Sequence, residues 1–126
     1  MKVREIMTRE LICVEPRMSV VEAAKRMKSA DIHAVLVVED GRLLGIVVDR
    51  DLVLKVLAEE RDPGRTRVQE IMSPDPVTVD PDTDVIEAAR LMRSHGVSRL
   101  PVVERDGRVA GIVSEVDLPS ILSRLE

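Results

Sequence analysis

"GIVVDRDL", residues 45–52, opens on a glycine, runs through aliphatic residues and ends abruptly in charge. "GIVSEVDL", residues 111–118, has the same shape. A β-branched run that meets acidic residues without an intervening loop reads as a strand turning directly into a helix. Worked outward, the two stretches prove to be matching places in two copies of one unit. With Val3 set over Val68, "VREIM" lies over "VQEIM", Pro16 over Pro81 and "VVEAAKRM" over "VIEAARLM". "VLVVEDGRLLGIV" then lies over "LPVVERDGRVAGIV", with one residue inserted before the second "DG". The period is about 65 residues, longer than a solenoid repeat, and two copies make a pseudo-symmetric pair rather than an array.

Each copy predicts the same elements. A short strand comes first, "LICV" (11–14) or "VTV" (77–79). Ser19 with Glu22, and Asp84 with Glu87, have the spacing of a helix-capping box. The helix that follows places Val20, Ala23, Ala24 and Met27 on one face, matched by Val85, Ala88, Ala89 and Met92. A β-branched run, a "DG" turn and a second strand predict a hairpin. A last helix carries Leu52, Val53, Val56 and Leu57, or Leu118, Ile121, Leu122 and Leu125. The fold class is therefore α/β (α+β): a β-α-β-β-α motif over 1–60, a charged linker with a Pro-Gly break over 61–67, and a second motif over 68–126. One unit is too small to bury both faces of its sheet, so the two are expected to pack sheet to sheet, leaving symmetry-related clefts.

Composition narrows the function. The chain has 126 residues, 44% of them hydrophobic, and no Phe, Tyr or Trp. Its core is aliphatic, and it has no aromatic platform on which single-stranded nucleic acid could stack. A net charge of −4 provides no attraction to a phosphate backbone. A single cysteine, Cys13, forbids an intrachain disulfide. No apolar run approaches the ~20 residues of a membrane span, and the N-terminus has no apolar signal-peptide core. The expectation is a cytoplasmic protein with neither nucleic-acid nor membrane partners.

Asp51 and Asp117 fall in the first turn of the final helix of each copy. An acidic residue there is explained by helix capping, and that reading suffices for Asp49 and Glu115. The repetition of Asp51 and Asp117 favours a further role. A carboxylate can accept both hydroxyls of a vicinal diol such as ribose, and Ser114 adds a hydroxyl at the strand end.

The ordered set "EIM", Pro, "V.EAA..M", "PVV", "G.h.GIVS..DL", complete in the second copy and matched in the first except for "LVV" in place of "PVV" and "GIVV" in place of "GIVS", covers nearly the whole chain and resembles the CBS domain, named after cystathionine β-synthase. Tandem CBS motifs form the unit often called a Bateman module, which is regulatory rather than catalytic. The resemblance implies an adenosyl ligand such as AMP, ADP or ATP in a cleft between the motifs. Carried over by position, one site comprises Ser114 and Asp117 for phosphate and ribose, and Arg99 for phosphate, with Thr8, Leu11, Ile12, Cys13, Ile32, His33 and Ile112 around the base. The pseudo-symmetric site comprises Arg50 and Asp51 with Ser73, Val77, Thr78, Val97 and Ser98. There Val48 stands where Ser or Thr is expected, so a hydroxyl is lost, and a hydrogen bond to a charged group is worth roughly 1.5–3 kcal/mol. The Asp117 site is expected to be the stronger. Without aromatic residues, the adenine must lie between aliphatic side chains.

The resemblance also implies a homodimer; Leu57, Leu122 and Leu125 near the ends of the final helices make those helices the expected contact, and a downstream effector protein is the expected recipient of the signal. No catalytic cofactor and no metal are expected. The methionines fall at packing positions, and a Cys13–His33 metal pair has no support from spacing. Two competing classes remain. One is a ligand-free dimerisation module. The other is an enzyme using Asp51 and Asp117 as acid and base, for which the sequence offers no nucleophile–base pairing, phosphate loop or metal cluster.

Overall fold

The computed structural model of the chain describes residues 1–9 and 12–118. Two compact units form, one from Ile12–Pro76 and the other from Met1–Leu11 together with Val77–Glu126. The units are therefore cut differently from the sequence repeat. The leading "VREIM" segment belongs to the same unit as the second copy, and "VQEIM" to the same unit as the first.

In the Ile12–Pro76 unit the order is β1 (Cys13–Val14), α1 (Val20–Ala30), β2 (Ala34–Glu39), β3 (Arg42–Val48), α2 (Asp49–Leu52), α3 (Val68–Ile71) and β4 (Ser73–Pro74). The sheet order is β1-β2-β3-β4, with β1 parallel to β2 and the remaining pairs antiparallel. Ser19 starts α1 by accepting the Glu22 amide at 3.2 Å, as its spacing predicts. Val20, Ala23 and Met27 face the core, where Val35, Val37 and Val47 of the hairpin meet Val56, Val68 and Ile71. The hairpin turn has Asp40 and Gly41 both at positive φ (52° and 77°), the two-residue geometry that an Asp-Gly pair favours. Beyond α2 the helix widens into a π turn over Val53–Leu57, with Ala58 N–H bonded to Val53 O at 2.9 Å. Of the four apolar residues expected to line that last helix, Val56 is buried, Leu52 is partly buried, and Val53 and Leu57 are exposed.

The segment expected to link the repeats is a tight turn. Asp62 accepts Gly64 N–H through its side chain at 2.9 Å and Thr66 N–H through its carbonyl at 2.9 Å. Thr66 is buried, and its carbonyl takes the Val20 amide at 2.9 Å. Local Asx chemistry and backbone pairing hold this stretch against the start of α1.

The second unit repeats the plan with α4 (Val85–His95), β5 (Arg99–Val103), β6 (Val109–Ser114) and a single 3₁₀ turn over Glu115–Asp117. Asp84 caps α4 by accepting the Ile86 amide at 2.8 Å. The outer strands reduce to single bridges here: Val79 pairs parallel with Val102, and Thr8 antiparallel with Ile112. The "VTV" strand is thus one bridged residue, and of "LICV" only Cys13–Val14 is strand, Leu11 lying outside the described residues. Val3, Val79, Val85, Ala88, Ala89, Met92, Leu100, Val102, Val113 and Leu118 form the core. Ile121, Leu122 and Leu125 of the expected last helix also lie outside the described residues.

The glycine of each "GIV" now has a cause. A Cβ on Gly45 would sit 2.8 Å from the Ser73 carbonyl oxygen and 2.5 Å from Met72 Sδ. A Cβ on Gly111 would sit 2.8 Å from the Thr8 carbonyl oxygen. In both units the "EIM(S/T)" segment crosses the last hairpin strand so closely that only glycine fits beneath it.

Candidate functional site

The two strand-to-helix corners have the same main-chain frame. At the first, β3 ends at Val48, and Asp51 Oδ2 accepts the Val48 amide at 2.8 Å. At the second, β6 ends at Ser114, and Asp117 Oδ2 accepts the Ser114 amide at 2.9 Å. A carboxylate three residues into the turn thus satisfies the N–H at the strand end. The capping role given above to Asp49 and Glu115 therefore belongs to Asp51 and Asp117. Asp49 instead accepts the Arg50 amide at 2.9 Å and pairs with His33 Nδ1 at 3.1 Å. Capping leaves ligand binding open, because it engages one carboxylate oxygen of the two.

At the second corner the neighbours are polar. Ser114 Oγ donates to Asp117 Oδ2 at 3.1 Å. Arg99 stands directly across the hairpin from Ser114, and its Nη1 donates to Ser98 Oγ at 3.2 Å. Ser98 O accepts the Glu115 amide at 2.7 Å, tying the start of β5 to the turn. Asp117 is exposed, and among the described residues its Oδ1 accepts no hydrogen bond. Thr8 exchanges two backbone hydrogen bonds with Ile112, at 2.8 and 3.0 Å. Thr8, Arg99, Ile112, Ser114 and Asp117 therefore share one compact unit.

The other residues expected around the base lie in the other unit. Ile12 is partly buried and gives its carbonyl to the Leu36 amide at 3.0 Å. Ile32 is partly buried and His33 exposed. Cys13 keeps part of its surface in solvent, and partial desolvation pushes its thiol pKa up, making it a weak nucleophile at neutral pH. Leu11 lies outside the described residues.

The residues expected at the pseudo-symmetric site divide likewise. Arg50, Asp51 and Ser73 belong to the Ile12–Pro76 unit, whereas Val77, Thr78, Val97 and Ser98 belong to the other. Arg50 is exposed, Ser73 pairs with Ile46 through β4, and Val77 packs against the second core. Ala34 stands across from Val48, where the other corner has Arg99 across from Ser114. Asp51 Oδ1 meets Lys55 Nζ at 3.2 Å, and the Asp51 side chain is only 13% exposed. Sequence reading missed Lys55. Its signal was present, an acid followed four residues later by a lysine on a helix.

The CBS domain family model matches residues 3–58 and again residues 68–123. The chain belongs to the CBS domain family. It is 40% identical over 116 residues to the CBS domain-containing protein YhcV of Bacillus subtilis, covering 92% of this chain and 81% of that one. A putative signal-transduction protein with CBS domains from Burkholderia ambifaria superposes with a TM-score of 0.88 at 32% identity, covering 100% of this chain and 97% of that one. The CBS domain pair of protein MJ0100, solved in complex with 5-methylthioadenosine and S-adenosyl-L-methionine, superposes with a TM-score of 0.86 at 28% identity, covering 100% and 98%. The mixed α/β architecture of two CBS motifs is thus shared with these relatives.

Elsewhere in the CBS unit that holds Asp117, a groove of about 260 Å³ is lined by Asp80, Pro81, Asp82, Glu104, Arg105, Asp106 and Arg108. It lies by the turn of the β5–β6 hairpin, at the opposite end from Ser114. Two of its four acids are already paired: Asp82 accepts from Arg4 Nε at 3.2 Å and Asp106 from Arg108 Nε at 2.7 Å. Among the described residues no group of three His, Cys, Asp or Glu side chains gathers as a metal site, and no helix is long and apolar enough to cross a membrane.

Proposed function

We propose that this CBS pair is a cytoplasmic, non-catalytic sensor of an adenosyl ligand, AMP, ADP or ATP in the first instance, and that the Ser114–Asp117 corner is its ribose-binding element. The observation that carries the reading is the half-engaged carboxylate of Asp117. One oxygen is held by the Ser114 amide and hydroxyl, which fixes the rotamer, and Oδ1 accepts nothing among the described residues. A carboxylate pre-oriented in this way can accept from a vicinal diol without rearrangement. Ser114 Oγ and Arg99, on the same end of the hairpin, supply a hydroxyl and a guanidinium for a phosphate. The two ligands carried by the MJ0100 pair support the diol as the shared feature, since 5-methylthioadenosine has an adenosine ribose and no phosphate.

The test is titration calorimetry with AMP, ADP, ATP, S-adenosylmethionine and 5-methylthioadenosine on the native chain and on Asp117→Ala. Saturable binding lost in the variant supports the reading. Binding that survives intact in Asp117→Ala overturns the assignment of the corner.

A second reading concerns output. Val53, Leu54 and Leu57 are 52%, 46% and 67% exposed, three large apolar side chains close together beyond α2. We propose that they form a homodimer contact through which ligand binding reaches an effector protein. Sedimentation of Leu57→Glu tests this: a monomer supports it, and an unchanged mass overturns it.

A further inference from the structure

We propose that Lys55 is a built-in occupant of the Asp51 corner and restricts the chain to one adenosyl ligand, bound at Asp117. The inference rests on the adenosyl reading above and adds to it the residue that decides how many sites are open. Both oxygens of Asp51 are engaged: Oδ2 takes the Val48 amide at 2.8 Å, and Oδ1 faces Lys55 Nζ at 3.2 Å. The lysine is anchored at a second point, because Nζ also donates to the Ile71 carbonyl at 3.0 Å. Ile71 is the last residue of α3, where carbonyls have lost their helical partners and the helix end attracts a cation. The ammonium is thus held between a carboxylate and a helix C-terminus, unlike a freely moving surface lysine.

A ribose diol needs the carboxylate oxygen that Lys55 holds. Entering the corner would separate a partly buried ion pair and leave an ammonium beside the incoming hydroxyls, competing with them for the carboxylate. Among the described residues, the exposed Arg50 is the one cation beside Asp51 left to meet a phosphate, and it restores no oxygen for a diol. Val48 offers no hydroxyl, and Ala34, across from it, no guanidinium. In the second copy the residue aligned with Lys55 is Ile121, which has no charge to place against Asp117. Among the described residues, the two corners therefore share a frame and differ in occupancy: one carboxylate is closed by its own chain, and the other keeps Oδ1 without a hydrogen bond.

The experiment is calorimetry with AMP and with S-adenosylmethionine on the native chain, Lys55→Met, Asp117→Ala and the double variant. Lys55→Met keeps the aliphatic stem and removes the charge. Lys55→Gln, which retains a donor for the Ile71 carbonyl, replaces it should the methionine variant melt early. The expected result is one ligand per native chain, two per Lys55→Met chain, and no binding to Asp117→Ala. In the double variant one event returns, at least tenfold tighter than any residual binding to Asp117→Ala. Two ligands per native chain overturn the proposal, as does a double variant as inert as Asp117→Ala; both leave the adenosyl reading standing. Absence of binding by every chain, Lys55→Met included, overturns the adenosyl reading and the role of Lys55 together.

Discussion

The corner after Val48 and the corner after Ser114 are built from the same backbone and finished with different side chains. In each, a carboxylate turns back to hold the amide at the strand end, at 2.8 and 2.9 Å. Around the first stand Val48, Ala34 and Lys55; around the second, Ser114 and Arg99. The first carboxylate is partly buried and paired with Lys55, whereas the second is exposed and, among the described residues, keeps one oxygen without a hydrogen bond. The difference teaches that a duplicated frame keeps its main-chain hydrogen bonding, while its ligand chemistry rests on side chains that do not affect the frame.

The largest expected effect comes from breaking what the corners share. Gly45→Val and Gly111→Val drive a side chain into the carbonyl of Ser73 or Thr8. Each should lose about 1–3 kcal/mol through overpacking, visible as a drop of several degrees in melting temperature. The two should cost about the same, since each Cβ meets a backbone carbonyl oxygen at 2.8 Å and the Met side chains also in the way, Met72 and Met7, are flexible. Equal melting of native and variant chains would mean that the crossing segments are not held as described.

Exchanging the carboxylates sharpens the comparison. Asp117→Ala should lower adenosyl affinity at least tenfold, ~1.4 kcal/mol, with little change in melting. Asp51→Ala should do the reverse, losing about 1–3 kcal/mol of stability because Lys55 keeps only a carbonyl partner. Calorimetry and thermal melts run on both variants check the crossover.

A smaller effect is expected from Ser114→Val, which gives the open corner the side chain of the closed one. Losing one hydroxyl hydrogen bond, worth about 1 kcal/mol, should weaken a phosphate-bearing ligand roughly fivefold. An affinity unaltered by the change would remove Ser114 from the ligand's contacts.

The smallest effect tests the fastening of the crossing segments. In one unit Asp82 is bonded to Arg4; in the other Glu70 is bonded to the Arg67 amide and to Arg61. The Arg4 guanidinium holds the Asp82 carboxyl below its ordinary range, and the Arg67 amide, then Arg61, do the same for Glu70. A depressed folded pKa means stability present above the unfolded value and lost as pH falls through the folded one. The contribution of Asp82 and Glu70 should therefore begin to fade as pH falls through the ordinary carboxylate range and be gone below the folded pKa values. Glu70→Gln and Asp82→Asn should each lower stability slightly at neutral pH, leave it nearly unaltered at pH values below both carboxyl pKa values, and so flatten the acid limb. Since all these groups are exposed, salt should blunt both effects.

Much of the fold was legible in sequence because its signals are local. Ser19 and Asp84 cap the helices their spacing announced, and Asp40-Gly41 turns the hairpin as its dipeptide requires. The inserted Arg105 lengthens the second turn, where Gly107 takes a φ of 93°. The outer strands were overestimated because apolar runs such as "VTV" mark a strand without revealing how many residues find a partner. At the sites, the resemblance pointed to both aspartates. It did not reveal that Lys55 closes one of them, because half of its anchoring is the Ile71 carbonyl, a backbone atom with no signature in sequence.

By itself the sequence determined the duplication, the order of elements within each copy, the aliphatic core, and an acid three residues past each "GIV" strand. All of these follow from periodicity and from short-range backbone chemistry. Only the tertiary structure decided which "EIM" segment crosses which strand. Both segments and both glycines match in pattern, so local propensity favours either pairing equally. Packing resolves the degeneracy, burying Val3 in the core of Val79–Leu118 and Val68 with Ile71 in the core of Val14–Val56. That choice puts the last carbonyl of α3 within reach of Lys55, and the occupancy of the first corner follows from it.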